Sequence, residues 1–333
     1  LIAGPILRHN ELIPELNQTS TFIFSPKNFA MGLTLFTLGL SKKMLLADTL
    51  SPWVGEVFNN AYGVSFIEAW VGGLCYTLQL YFDFSGYSDM AVGLGWMFNI
   101  HLPINFNSPY KARSISDFWR RWHITLSNFL RDYLYIPLGG NRQGKLRRYV
   151  NLIITMLLGG LWHGAGWTFV VWGGLHGVYL VIDRQWRELN IKLPSILSWL
   201  ITFIAVVFGW VLFRANNFQD AIALLQTMLG INGIILPGKF EGILSWLIPF
   251  GAKFQGEGIL SALPSLPGDN PLSLGINLIF ITVLLAMAIS CPNTMELMDK
   301  FSPTRKWALA ISVLGITCLI SLNKVSEFLY FQF

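Results

Sequence analysis

Residues 149–182 contain no Asp, Glu, Lys or Arg. About 20 apolar residues suffice to cross the hydrocarbon core of a bilayer. An uncharged run of 34 residues therefore exceeds one straight span and suits a hairpin. Gly159-Gly160 and Gly164-Ala165-Gly166 supply break points inside it. Broken helices are tolerated at membrane depth where they line a cavity buried in protein. The run also holds His163, in the sequence Leu161-Trp162-His163-Gly164. An ionisable side chain at such depth is costly and marks a candidate functional site. The plainer alternative is an imidazole bonded to a free carbonyl at the helix break.

The rest of the chain agrees with this setting. Only 12% of the 333 residues are charged and 53% are hydrophobic, against about 25% charged in soluble domains. Further apolar stretches recur at 29–47, 62–82 (with Glu68 inside), 84–104 (with Asp89), 193–213, 272–291 and 307–322. The expected fold is all-α: one polytopic transmembrane bundle over 1–333, with re-entrant or interfacial helices. Residues 218–229 read as a short amphipathic stretch. Residues 232–271, rich in Gly and Pro, read as a long loop.

Charge is concentrated. Residues 111–148 carry nine Lys and Arg against Asp117 and Asp132, a local +7 in a chain of net charge +5. Beside apolar spans, the positive-inside rule accounts for this cluster better than nucleic-acid binding does, and puts the segment in the cytoplasm. Ser116 is the expected cap of a helix whose aromatics Phe118, Trp122, Phe129 and Tyr133 lie at helical spacing, suited to the interface. The two Lys and three acids of 232–271 suit the outer side. Both ends of 149–182 then fall on one side, with the turn near Gly164.

Neutral imidazole takes a proton from a hydroxyl and returns it to a leaving group. Of the five histidines, His163 is the candidate for that work by its setting, whereas His123, beside Arg120 and Arg121, suits an interface residue better on its surroundings alone. His176 suits packing or helix bridging, and His9 and His101 read as structural. His163 and His176 lack metal-ligand spacing, and no acid or cysteine in the run completes a metal shell. Cys75, Cys291 and Cys318 form no pair at motif spacing. Glu68, Asp83 and Asp89, within or beside apolar spans, are expected to face the interior and pair with cations, with Arg120, Arg121 and Arg131 as candidate partners. No G-x-S-x-G, P-loop or dinucleotide fingerprint is present. Direct transfer by a histidine base is favoured over a covalent enzyme intermediate.

Several motifs in order resemble the membrane-bound O-acyltransferase (MBOAT) family. They are Tyr81-Phe82-Asp83-Phe84-Ser85-Gly86-Tyr87-Ser88-Asp89, Pro103-Ile104-Asn105-Phe106, Phe118-Trp119-Arg120-Arg121-Trp122-His123, Tyr135-Ile136-Pro137-Leu138-Gly139-Gly140-Asn141 and Leu161-Trp162-His163-Gly164. The opening Leu1-Ile2-Ala3-Gly4-Pro5 and closing Tyr330-Phe331-Gln332-Phe333 resemble its bacterial alginate-O-acetylating branch. The resemblance implies a helical membrane enzyme with a tunnel through the bilayer, moving an acyl group to a hydroxyl. It places the family's essential histidine on His163 and a second characteristic histidine on His123. It also implies further spans ahead of Leu1, so the chain reads as truncated at its N-terminus.

The expected roles follow. His163 is the general base, and His123 serves the donor side. Trp162, Arg120, Arg121, Trp122, Asn128 and Asp89 are expected to bind substrate, with the Trp162 indole or a helix-break amide as oxyanion donor. No tightly bound cofactor or metal is expected. The co-substrate is acetyl-CoA or another acyl thioester, including one on an acyl carrier. The partners are an exported polysaccharide or a periplasmic acetyl-accepting protein, and membrane lipid. The implied location is the bacterial inner membrane. The rivals are a D-alanyl transferase acting on teichoic acid, a transporter with a His/Asp proton relay, and a scaffold with dead chemistry.

Overall fold

The computed structural model describes residues 4–231, 233–236, 238–256 and 272–322. It is mostly helical, as expected. The opening Leu1-Ile2-Ala3, residues 257–271 of the expected loop and the closing Tyr330–Phe333 motif lie outside the described residues.

After a short helix α1 (His9–Leu16), α2 (Pro26–Ser41) begins at Ser25, whose hydroxyl accepts from the Asn28 N–H. A π-helical turn, Lys42–Ala47, joins α2 directly to α3 (Asp48–Asn59). Next comes α4 (Phe66–Met97). Two stretches, 62–82 and 84–104, were expected as separate spans. They form this one helix of 32 residues instead, about 48 Å long. Nothing between Phe82 and Gly86 breaks it. Gly86 serves packing: a Cβ there would lie 2.6 Å from the Gly39 carbonyl oxygen, and one on Gly39 would lie 2.5 Å from that of Gly86. Gly32 and Gly93 repeat the contact one heptad away. Small residues let helix backbones approach this closely.

The acids of α4 find lysines, not the arginines suggested by sequence. Lys42 Nζ lies 2.6 Å from Asp89, and Lys43 Nζ lies 2.7 Å from both Asp83 and Asp48. The π-turn presents both adjacent lysines to α4. Glu68 instead helps cap the start of α4, accepting from the Ser65 N–H at 2.9 Å.

The basic segment is not one helix. α5 (Ile115–Trp119) and α6 (Ile124–Leu130) are separated by a break, and the true cap of α5 is Ser114, not Ser116. Ser116 bonds Asp183 instead. The expected continuous helix fails at His123, which adopts a left-handed backbone with φ 42°.

The uncharged run folds as two helices, α7 (Gly144–His163) and α8 (Trp167–Glu188), each of 20 residues or more, turning at Gly164–Gly166. The turn falls where the glycines put it. At the other end, Lys145 and Arg148 both pair with Glu188, so the two ends of the hairpin meet. Gly160 and Gly173 let α7 and α8 touch through backbone.

α9 (Ser195–Arg214) packs on α4 and α8, and α10 (Phe218–Met228) packs on α4 and α9. The core lies between these helices, around Val57, Tyr76, Leu78, Val207, Trp210 and Leu224. Within the expected loop, β1 (Ile234–Leu236) pairs in parallel with β2 (Ala252–Phe254), flanking a short helix α11 (Glu241–Leu244). α12 (Leu272–Ser290), α13 (Thr294–Met298) and α14 (Arg305–Ser321) follow. Asn293 ties the α12–α13 turn to Asn107 and Ser108. Among the described residues, two helical stretches, Pro26–Asn59 and Ser195–Arg214, are long and apolar enough to cross a membrane by length and composition.

Candidate active site

His163 is the last residue of α7, so it stands where the hairpin turns. Its ring meets Trp172 of α8 edge-on at 5.4 Å between centroids and Phe213 of α9 at 5.2 Å. His123 arrives from the break between α5 and α6, and its ring lies edge-on to Phe84 of α4 at 4.8 Å. The two imidazoles, forty residues apart, line one cavity of ≈ 20 Å³, walled by Leu80, Phe84, Trp122, Trp172, Trp210 and Phe213. That is room for about one water. Four separate parts of the chain are needed to build it.

His123 is held from behind. Its Nδ1 is 3.0 Å from Asn105 Oδ1, which also accepts from the backbone N–H of Thr125 at 3.2 Å and from its hydroxyl at 2.9 Å. The Asn105 carbonyl accepts from the Ile124 N–H at 3.0 Å. Asn105 therefore satisfies two of the free N–H groups at the start of α6.

A second, wider pocket of ≈ 420 Å³ borders the same segment, lined among others by Trp119, Arg120, Asn128, Arg131, Tyr135 and Thr155. It combines two guanidinium groups with an apolar wall. Arg131 is also paired with Asp132 at 2.6 Å.

The residues expected to bind substrate are thus divided. Trp122 lines the histidine cavity, and Arg120 and Asn128 line the wider pocket. Arg121 lines neither and bonds Asp117 at 2.9 Å and the Asn107 carbonyl at 3.3 Å. Asp89 lines neither and takes Lys42 and the Thr294 hydroxyl, each within 2.7 Å. Trp162 is 57% exposed and leans on Phe129, so its indole N–H does not reach the cavity. Consecutive helical residues point about 100° apart, and with His163 facing in, Trp162 faces out. His176 bridges helices, its Nδ1 accepting from the Trp119 indole N–H at 3.3 Å. His101 bonds Glu15 at 3.0 Å near the surface.

Sequence reasoning assigned no role to Asn105 or Trp172. Asn105 lies in the Pro103-Ile104-Asn105-Phe106 motif, but its partner His123 lies 18 residues on. Among the described residues, no group of three or more His, Cys, Asp or Glu side chains is placed to hold a metal ion. The three cysteines are free.

A profile of the membrane-bound O-acyltransferase family matches residues 1–219. The chain is 52% identical over 240 residues to the peptidoglycan O-acetyltransferase of Helicobacter pylori, covering 71% of this chain and 46% of that protein. It is 40% identical over 359 aligned positions to the probable alginate O-acetylase AlgI of Pseudomonas fluorescens, covering all of this chain and 70% of that one. The teichoic acid D-alanyltransferase of Streptococcus thermophilus is 33% identical over 189 residues, covering 54% of this chain and 43% of that protein. The chain spans about half the length of most of these curated relatives. On the extent of these matches, the chain belongs to the membrane-bound O-acyltransferase family.

Proposed function

We propose that this chain carries the transfer centre of a membrane O-acetyltransferase, moving an acetyl group from a thioester to hydroxyls of an exported polysaccharide. One observation carries the reading: His123 and His163, brought from separate segments, line a single cavity. His163 takes the proton from the acceptor hydroxyl as its oxygen attacks the acetyl carbonyl. The new C–O bond forms, the C–S bond breaks, and the proton passes to the departing thiolate. The products are an ester and a free thiol. A positioned general base of this kind contributes about 10²–10⁴-fold.

The wider pocket suits the donor. Arg120 and Arg131 offer charge to the phosphates of a CoA thioester or of a phosphopantetheine arm. In this reading the basic 111–148 segment faces the cytoplasm of a bacterial inner-membrane, multi-pass enzyme, with the acceptor polymer or a periplasmic acetyl-accepting protein on the far side. The acetylating relatives support an acetyl donor. The D-alanyltransferase relative, at lower identity, marks the alternative acyl group.

The test uses the full chain in lipid nanodiscs with acetyl-CoA and, in separate reactions, alginate, peptidoglycan and lipoteichoic acid. Ester formation is followed by mass, and free thiol by colour. The wild type is expected to add acetyl, and His163→Ala to lose at least 100-fold while keeping its thermal midpoint. Equal rates in wild type and His163→Ala overturn the reading.

A further inference from the structure

We propose that Asn105 is a positioning residue for this centre: its amide oxygen holds the proton of His123 on Nδ1, so that Nε2 is left to the shared cavity as a proton acceptor. The proposal deepens the acyl-transfer reading and rests on it for its catalytic half.

The argument is one of donors and acceptors. The backbone N–H of Thr125 can only donate, and its partner at 3.2 Å is the Asn105 side-chain atom Oδ1. That atom is therefore oxygen; turning the amide over would set an NH2 group against the N–H. The Thr125 hydroxyl accepts from the Ile6 N–H at 3.0 Å, which leaves its own proton to donate to Asn105 Oδ1 at 2.9 Å. The same oxygen, already accepting two bonds, faces His123 Nδ1 at 3.0 Å. An acceptor facing a ring nitrogen requires that nitrogen to carry hydrogen. In neutral imidazole the other nitrogen then carries the lone pair.

Two further observations agree. Asn105 Nδ2 is buried and has no hydrogen-bond partner among the described residues. That orphan donor is what it costs to keep the oxygen on the His123 side. The left-handed backbone of His123 (φ 42°, ψ 56°) also sets the ring's direction of approach, and the residue lines the cavity. A base oriented by a third polar group is the general arrangement behind nucleophile activation. Here the orienting group is a neutral amide. His123 thus accepts hydrogen bonds in the cavity and does not donate them, which suits proton transfer rather than polarising the donor's carbonyl.

The test begins with a readout that needs no activity. The full chain is labelled with 15N-histidine in detergent micelles, and the His123 signals are identified by their loss in His123→Gln. The expected wild-type spectrum shows Nδ1 protonated and Nε2 unprotonated, with a mixture of tautomers in Asn105→Ala. A protonated Nε2 in neutral wild type, or an unchanged tautomer in Asn105→Ala, overturns the proposal.

Kinetics with acetyl-CoA supply the catalytic half. Asn105→Ala is expected to lose about 10–100-fold in kcat with little change in KM. Asn105→Asp keeps the acceptor oxygen and adds a charge beside Nδ1–H. It is expected to retain kcat within about tenfold and to move the acid limb of the pH profile up by about one unit or more. Parallel losses in both variants, with the limb unmoved, would mean that Asn105 only caps α6. If the wild type transfers no acetyl group, the function proposed above falls, and the spectrum still decides the tautomer.

Discussion

Lys43 Nζ lies 2.7 Å from Asp83 Oδ1 and 2.7 Å from Asp48 Oδ1, so one ammonium group holds two carboxylates from two helices. Asp83 is 2% exposed. Removing one partner of a buried pair costs about 3–5 kcal/mol, because the other charge is left unpaired. Lys43→Met is therefore expected to destabilise the α2–α4 pair severely. Adding Asp83→Leu removes the more deeply buried of the two stranded charges and should recover much of the loss. Denaturant titration of the two variants measures this, and a double variant no better than Lys43→Met contradicts it.

The α7–α8 hairpin depends on glycine where its two helices touch and not at Gly166 of its turn. A Cβ on Gly160 would lie 2.3 Å from the Phe169 carbonyl oxygen, and one on Gly173 would lie 2.2 Å from that of Met156. Neither backbone can yield without separating the helices. Gly160→Ala or Gly173→Ala should cost about 1–3 kcal/mol or more and displace His163, with at least tenfold lower acetyl transfer. Gly166→Ala meets nothing nearer than 3.5 Å and loses only a preferred cap residue; it should stay near wild type. Reversed sensitivities would refute this account of the hairpin.

The hairpin was legible in sequence because its two signals are local: an uncharged run, and glycines near its middle. The continuity of α4 was not. Asp83 and Asp89 interrupt the hydropathy of that stretch, and their counter-ions, Lys43 and Lys42, come from the turn after α2, 47 residues earlier in the case of Asp89. A local reading sees buried acids and looks to the nearest arginines. His163 stood out by its place in the uncharged run and His123 by its motif, but their shared cavity depends on tertiary structure. The break at His123, which turns its ring inward, is stabilised by Asn105 from another segment.

The same limit separates two tryptophans on either side of the turn. Trp162 adjoins His163 in sequence but is 57% exposed, whereas Trp172 is 1% exposed and meets the His163 ring. Trp162→Ala should leave acetyl transfer within about threefold of wild type, having no partner in the cavity to lose. Trp172→Ala deletes a cavity wall and should cost about 3–5 kcal/mol of stability, together with most activity. Trp172→Phe, which keeps an aromatic wall, should retain more of both. Loss of activity in Trp162→Ala without loss of fold would return that residue to the site.

Asp132, at the surface beyond α6, joins the N-terminal segment to the wider pocket. Arg8 lies 2.7 Å from one carboxylate oxygen and Arg131 lies 2.6 Å from the other. Hydrogen bonding, first to Arg131 and then to Arg8, lowers the Asp132 carboxyl from 3.8 to about 2. A depressed carboxylate contributes stability that is complete above its unfolded value and lost as pH falls through its folded one. The contribution should therefore hold at pH 7 and pH 5 and disappear between about 3.8 and 2. Since the groups are partly solvated, its size should be about 1 kcal/mol or less. Thermal midpoints of wild type and Asp132→Asn should differ equally at pH 7 and 5 and converge near pH 2. A difference that has already closed at pH 5, or one that persists unchanged at pH 2, shows that Arg8 and Arg131 do not hold the carboxylate in this way.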